Sequence, residues 1–349
     1  LSKGAKHGNF AHNTGEGGLS PYHIKGGGDL IWQIGTGYFG CRNTDGSFDK
    51  HIFKEKALLE NVKMIEVKLS QGAKPSHGGI LPGVKVNQEI VDIRGLEVGK
   101  DAISPPVHST FSTPIGLLNY VAELRELSGG KPVGFKLCIG IHSEFMGICK
   151  AMLETGITPD FITIDGAEGG TGAAPVVFTN NIGTPINEAI SFVHNCLIGI
   201  DKRNDIKLIA SGKVATGYDM VTKIALGADM CNAARAMMFA LGCVQSLSCN
   251  TNKCPTGIAT NDKSRWRSLD IEDKYIRVSN FQRSTVNSFL DVLGAMGLDN
   301  PERLHAGLIQ VYTDVGISKS YAEIFPQLGN GDLLAPNLSH NFSTEWKLA

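Results

Sequence analysis

From about residue 60 to residue 245, short apolar and β-branched runs alternate with amphipathic stretches. That alternation is the signature of parallel strands joined by helical crossovers. The strand candidates are Val62–Lys68, 102–104, 133–138, 161–164, 206–210 and 229–232, with 9–13 as a further one near the N-terminus. The helices between them have readable ends. Thr113-Pro114 sets an N-cap before proline at the first helical position, and Gly129-Gly130 stops that helix. Ser143 opens a second helix, closed by Gly156, and Thr184-Pro185 opens a third. Thr216-Gly217-Tyr218-Asp219 is a capping box with Asp in place of Glu, and its helix ends at Gly227.

Glycine decides between an open sheet and a barrel. The chain carries 42 glycines in 349 residues, above the roughly 7% usual level. They gather behind strand ends, at 71–83, 165–175, 211–217 and the turn at Asn232. A barrel brings all such ends to one face, where its site lies. A doubly wound sheet would show one dominant Gly-x-Gly-x-x-Gly turn early, and none stands in that context. The reading is therefore α/β, a (β/α)8 TIM barrel. Seven strands can be counted, and the chain starts Leu1-Ser2-Lys3 rather than with Met. The expectation is a fragment or processed product whose first barrel strand lies upstream. Residues 1–60 read as a strand and an excursion over the catalytic face, 61–245 as the barrel core, and 243–260 as a cysteine loop. Residues 261–349 read as a helix near 272–296 and a tail that is extended or loosely packed from Tyr321 onward.

Charge and cysteine content narrow the classes. With 33 basic residues against 34 acidic ones, nothing argues for nucleic acid or an anionic membrane surface. No apolar stretch approaches the ~18 residues of a membrane span; the best candidate, 236–247, adjoins Arg235. The expected location is the cytoplasm, an anchor upstream of residue 1 being outside the sequence. Eight cysteines are too sparse for a disulfide scaffold. Cys41, Cys138, Cys149, Cys196 and Cys231 read as reduced packing thiols.

The other three form the run Cys243-x5-Cys249-x4-Cys254-Pro255. Thiolates select iron–sulfur clusters, zinc or copper(I). Structural zinc wants four ligands, and no nearby Cys or His completes the set. Three thiolates suit a cluster of three irons; three buried thiols on a helix end remain the alternative. A second candidate is the stretch from Lys68 to Gly83, with Lys68, Gln71 and Lys74 on a Gly/Pro-rich loop and Arg94 beyond it. It would hold a small dicarboxylate by point charge and a bidentate contact, or it is a solvated charged loop. A third is a phosphate end, Ser211-Gly212-Lys213 and Asn232-Ala233-Ala234-Arg235, where such barrels bind phosphate, or two ordinary βα turns. Lys136, inside an apolar strand, either points into the barrel toward an electron-rich cofactor edge or snorkels outward. The turns Asn13–Gly18 and Asp165–Gly172 present the carboxylates Glu16, Asp165 and Glu168.

Taken in order, these segments resemble the flavin-binding synthase domain of glutamate synthases, nearest the short members without a glutaminase domain. The matching pieces are Asn13-Thr14-Gly15-Glu16-Gly17-Gly18, Gln71-Gly72-Ala73-Lys74-Pro75, Leu81-Pro82-Gly83, Ser104-Pro105-Pro106, Gly169-Gly170-Thr171-Gly172 and the cysteine run, across roughly 9–290. The resemblance implies a (β/α)8 barrel holding FMN and a [3Fe–4S] cluster on Cys243, Cys249 and Cys254. It puts Ser211, Gly212, Asn232 and Ala233 at the FMN phosphate and Lys136 at the flavin ring. Lys68, Gln71, Lys74 and Arg94 match the 2-oxoglutarate pocket, and Glu16 an acidic residue where ammonia arrives.

The implied activity is reductive amination of 2-oxoglutarate to glutamate by reduced FMN, recharged through the cluster. Electrons would come from ferredoxin or an NAD(P)H-dependent subunit, and ammonia from a separate glutaminase subunit. Ile80 and His77 stand where full-length synthases carry Gln and Glu, which alters the pocket on one side. Two other readings follow: an N-alkylglutamate-forming transferase of the same family, taking a less polar amine, or a non-catalytic electron-relay subunit.

Overall fold

The computed structural model describes residues 1–169, 174–336 and 342–349. One parallel sheet takes seven strands in chain order: β1 (His12–Asn13), β2 (Leu30–Ile34), β3 (Val62–Lys68), β4 (Val133–Leu137), β5 (Phe161–Asp165), β6 (Lys207–Ser211) and β7 (Met230–Asn232). Each strand pairs in parallel with the next. The crossovers include helices Lys50–Ala57, Pro114–Leu127, His142–Thr155, Ile186–Gly199 and Gly217–Ala225. Strand order that never reverses belongs to a barrel wall rather than a doubly wound sheet. Among the described residues no ladder joins β7 to β1.

Side chains alternate across each strand, and here the two faces differ in chemistry. Leu30, Trp32, Ile34, Ile65, Val67, Phe135, Leu137, Ile162, Ile164, Leu208 and Ala210 face the helices and join the main core with Leu118, Val121, Phe145, Met152 and Val193. The alternate positions carry Asn13, Gln33, Glu66, Lys68, Lys136, Thr163, Asp165, Ser211 and Asn232. Register sets Gln33 opposite Glu66, and Lys68 opposite Lys136. Thr163 lies opposite Lys136, and Ser211 lies between Asp165 and Asn232. Ile31, Phe161 and Ile209 share that face, so the barrel interior mixes a few apolar residues with a polar majority, where many barrels stack aliphatic layers.

Two expectations about strands need correction. Residues 102–104 do not enter the wall: Ala102–Ile103 pairs antiparallel with Ile80–Leu81 in a separate two-stranded ribbon. The wall instead takes β2, whose five residues are all buried. Glycines at 26–28 and 35 bracket that run, which made the stretch after the 9–13 strand look like excursion.

The helix near 272–296 spans Ile271–Ala295, and the N-terminal helix Ser2–Gly8 packs on it. A Cβ on Gly4 would stand 2.7 Å from the Val278 side chain, so glycine permits the close crossing. The tail is not loosely packed. Leu328, Leu333, Phe342 and Trp346 join the main core, and Lys150 Nζ donates to the Ala349 carbonyl at 2.7 Å. Leu328 and Leu333 both pack at Gly199, and Trp346 lies on the short helix Ser343–Leu348 against the His142–Thr155 helix, so no single period marks them in the sequence. No helix among the described residues is long and apolar enough to cross a membrane.

Candidate active site at the barrel mouth

At the centre of the barrel Glu66 is fully buried. Its carboxylate accepts from Asn13 Nδ2 at 2.8 Å, Gln33 Nε2 at 2.6 Å and Thr163 Oγ1 at 2.6 Å. Three donors on one carboxylate satisfy a charge that burial would otherwise make costly. Above it Lys136 Nζ lies 3.6 Å from Asp165 Oδ2. Burial works against that ammonium, but Asp165, Glu66 and Glu16 outweigh it and raise its pKa above the usual lysine value. Lys136 therefore points toward these carboxylates, which favour its charged form.

The mouth is built from the ends of β3 and β5 and the turn after β1. Lys68 Nζ donates to Glu16 Oε1 at 2.7 Å and to Gln71 Oε1 at 2.9 Å. Burial would raise the Glu16 pKa, yet Lys68, Lys136 and Lys74 hold it below its ordinary value. Gly35 and Gly79 flank Glu16; a Cβ on either would stand 2.8 Å from it. Lys74, 7% exposed, donates to the Gly78 carbonyl at 2.9 Å. Arg94 ends the helix Gln88–Arg94, its guanidinium 5.2 Å from the Phe39 ring and against Gly17. Among the described residues neither Lys74 nor Arg94 has a carboxylate within 4.0 Å.

Asp165 ties the mouth together. Its Oδ2 accepts the Gly72 N–H and its Oδ1 the Ser211 hydroxyl, both at 2.8 Å. Gly72 approaches so closely that a Cβ there would lie 1.7 Å from the Gly166 carbonyl oxygen. Further out, Thr179 Oγ1 donates to the Ala73 carbonyl at 3.3 Å and His77 meets the Phe178 ring edge-on at 4.5 Å. Behind Lys68, buried His108 sets Nε2 at 2.9 Å from the Lys68 carbonyl and Nδ1 at 3.1 Å from the Tyr38 hydroxyl. Burial takes its pKa down to about 4, so the ring is neutral and Nε2–H is the donor.

At the proposed phosphate end, Ser211 and Asn232 are register partners at the ends of β6 and β7. Gly212 has φ +147°, a conformation L side chains rarely adopt, and Lys213 has φ +50°. Ala233 leads to Ala234, which precedes the helix Arg235–Ala240 and makes no side-chain cap. Backbone N–H groups without a side-chain cap, beside Lys213 and Arg235, fit an anionic phosphate.

The cysteine segment follows directly. Cys243 Sγ accepts the Gln245 N–H at 3.4 Å. Gln245, Leu247 and Asn252 all have positive φ, curling the chain tightly. Burial would raise the Cys254 thiol, but the Thr256 hydroxyl and the N–H groups of Ala259, Thr256 and Ile258 bring it down to about 7. Donors aimed at sulfur favour the thiolate, the form that binds iron. Among the described residues no three Cys, His, Asp or Glu side chains gather as ligands of a single ion. A three-iron cluster takes one thiolate per iron, which spreads its sulfurs more widely than a single ion would.

Of the residues singled out in the sequence, Glu16, Lys68, Gln71, Lys74, Lys136 and Arg94 converge on the mouth. Ser211 joins them through Asp165. Residues 170–172 of the Gly169–Gly172 motif lie outside the described residues. Glu66, Gln33, Thr163, His108 and Lys85 escaped sequence reading. Glu66 had a signal, since it stands two before Lys68 in the strand Val62–Lys68 and so shares its face.

The family profile described as "Conserved region in glutamate synthase" matches residues 1–299. The chain is 44% identical over 289 residues to the glutamate synthase large subunit-like protein YerD of Bacillus subtilis, covering 83% of this chain and 55% of that protein. It is 35% identical to the archaeal glutamate synthase (NADPH) of Methanocaldococcus jannaschii, covering 89% of this chain and 58% of the relative. Thus it spans little more than half the length of these relatives. A solved mutant flavocytochrome b2 with pyruvate bound superposes with a TM-score of 0.50 at 14% identity, covering 94% of this chain and 71% of that one, a likeness of fold. With the family profile matched over most of its length, the chain belongs to the glutamate synthase family.

Proposed function

We propose that the chain is the redox core of a glutamate synthase, reductively aminating 2-oxoglutarate to glutamate. FMN would lie over the mouth, held at Lys136 and at Ser211, Gly212, Lys213, Asn232, Ala233, Ala234 and Arg235. Cys243, Cys249 and Cys254 would hold a [3Fe–4S] cluster. When bound, the flavin supplies the reducing equivalents for the carbon–nitrogen double bond, and the cluster replenishes them from ferredoxin or an NAD(P)H-dependent partner. One observation carries the substrate assignment: among the described residues Lys74, nearly buried, and Arg94 have no carboxylate within 4.0 Å, beside the paired Lys68 and Glu16. A pocket with surplus positive charge calls for a small dianion.

Each residue then has a task. Lys74 and Arg94 bind the carboxylates, and Lys68 polarises the keto oxygen. Glu16, held ionised, accepts hydrogen bonds from the incoming amine and fixes it beside the carbonyl carbon. Addition of ammonia and loss of water give 2-iminoglutarate, and hydride plus a proton complete glutamate. Lys136 offers a fixed positive charge to the reduced cofactor. The test is anaerobic turnover of the full-length protein with 2-oxoglutarate, ammonia and a chemical reductant. Failure to form glutamate, with flavin bound, sinks the assignment.

Ile80, 59% exposed and adjoining Gly79 against Glu16, supports a second reading. There the nitrogen donor is an alkylamine that replaces the amino group of glutamate, giving an N-alkylglutamate and releasing ammonia. Glutamate-dependent turnover without any reductant would select it.

A further inference from the structure

Lys85 lies beyond the oxo-acid loop yet reaches the cysteine segment. Its Nζ donates to the Cys249 carbonyl at 3.0 Å and to the Ala259 carbonyl at 3.1 Å, one contact before Cys254 and one after it. Its own carbonyl accepts from Asn261 Nδ2. The Asn261 N–H in turn donates to Asn252 Oδ1 at 2.8 Å, and Asn252 also accepts from the Thr260 hydroxyl. One residue therefore bridges the 249–261 stretch from both its side chain and its backbone.

The position of Lys85 is itself fixed. It ends the short helix Gly83–Lys85, where the Gly83 N–H donates to Asp101 Oδ1 at 2.6 Å. A Cβ on Gly83 would stand 2.1 Å from the Gly99 carbonyl oxygen, which locks this helix onto the 99–101 turn. Upstream, the Ile80–Leu81 ribbon strand leads straight back to Gly78 and Lys74. We propose that Lys85 is a positioning residue: it fastens the cysteine segment to the loop after β3 that carries Gln71 and Lys74, so that thiols and oxo-acid pocket keep a fixed relation. Lysine suits this, because one ammonium can satisfy two carbonyls at once. Its charge beside the thiolates also favours the reduced, more negative form of any cluster they hold; this second consequence rests on the cluster assignment above.

The experiment compares the unmodified chain with Lys85→Met and Lys85→Arg. In iron-free full-length protein, alkylation of Cys249 and Cys254 by iodoacetamide is followed site by site by mass spectrometry. Rates are compared above the thiol pKa of every variant, so that thiolate fraction does not differ. Lys85→Met is expected to speed both by about tenfold or more, the effect of losing the two carbonyl contacts of one ammonium, while Lys85→Arg retains much of the slow rate. Cys41 and Cys196, fully buried in the main core, should stay unreactive and report an intact fold in each variant. Should Lys85→Met unfold the chain, the same comparison with Lys85→Gln replaces it. Unchanged alkylation at both cysteines in a folded variant overturns the proposal. In iron-loaded protein, EPR-monitored titration should show a lower midpoint potential for Lys85→Met. A preparation without iron would remove the cluster assignment and leave the alkylation result to decide Lys85 alone.

Discussion

At the scale of single residues the site pairs Lys68 with Glu16 and Lys136 with Asp165, while among the described residues Lys74 and Arg94 have no carboxylate within 4.0 Å. Lys74→Met should weaken 2-oxoglutarate binding by at least tenfold, the loss of roughly one hydrogen bond to a charged group. Isothermal titration reads it directly, and unchanged affinity would remove Lys74 from the pocket. Glu16→Gln should cost about 2 kcal/mol of stability by stranding Lys68, whose side chain is only 11% exposed. The sign with pH follows from the lowered Glu16 pKa. The folded state binds the proton less readily than the unfolded one, so the stabilisation is present above the ordinary carboxylate value and fades as pH falls through the folded pKa. Urea midpoints of the two proteins should therefore converge below about pH 4, and a constant gap would refute the pairing. Lys68, Lys136 and Glu16 were legible because charges inside apolar strands or glycine turns are conspicuous. Their pairing was not, since Lys68 and Glu16 stand 52 positions apart.

At the scale of elements, caps and alternation did most of the specification. Thr113 and Thr216 cap the helices read from them, and the Thr216–Asp219 capping box is present. What the sequence hid was partner choice. Ala102–Ile103 and Leu30–Ile34 are both short apolar runs, and only the tertiary neighbours put one in a ribbon and the other in the wall. Loop contacts were equally hidden, although glycine marks where they are tightest. Gly72→Ala must push apart the turns after β3 and β5, because its Cβ would overlap the Gly166 carbonyl. Overpacking of this kind costs ~3 kcal/mol, and it would also break the Gly72 N–H contact to Asp165. The expected result is a thermal midpoint several degrees lower and loss of oxo-acid binding. A variant that binds 2-oxoglutarate normally would show that the two turns need not touch.

At the scale of the whole molecule, three histidines buried in different parts of the fold couple it to pH. His12 on β1, His108 behind the mouth and His194 in the Ile186–Gly199 helix are each brought by burial to a pKa of about 4. They share none of the hydrogen-bond partners seen: His108 is held by Tyr38 and Lys68, and His194 accepts from Arg203 Nε at 2.9 Å. Independent sites add. Each imidazole stays neutral in the folded chain below pH 6.5, while the unfolded chain takes up the proton. The unfolded state then binds more protons, so stability must fall as pH drops from about 6.5 toward 4. By pH 5 the loss is about 2 kcal/mol per histidine. Urea denaturation between pH 7 and pH 5 should show this slope, and His108→Gln should remove part of it without touching the rest. A stability that is flat across that interval would mean these rings reach solvent, and with it that the wall behind Lys68 is open rather than packed.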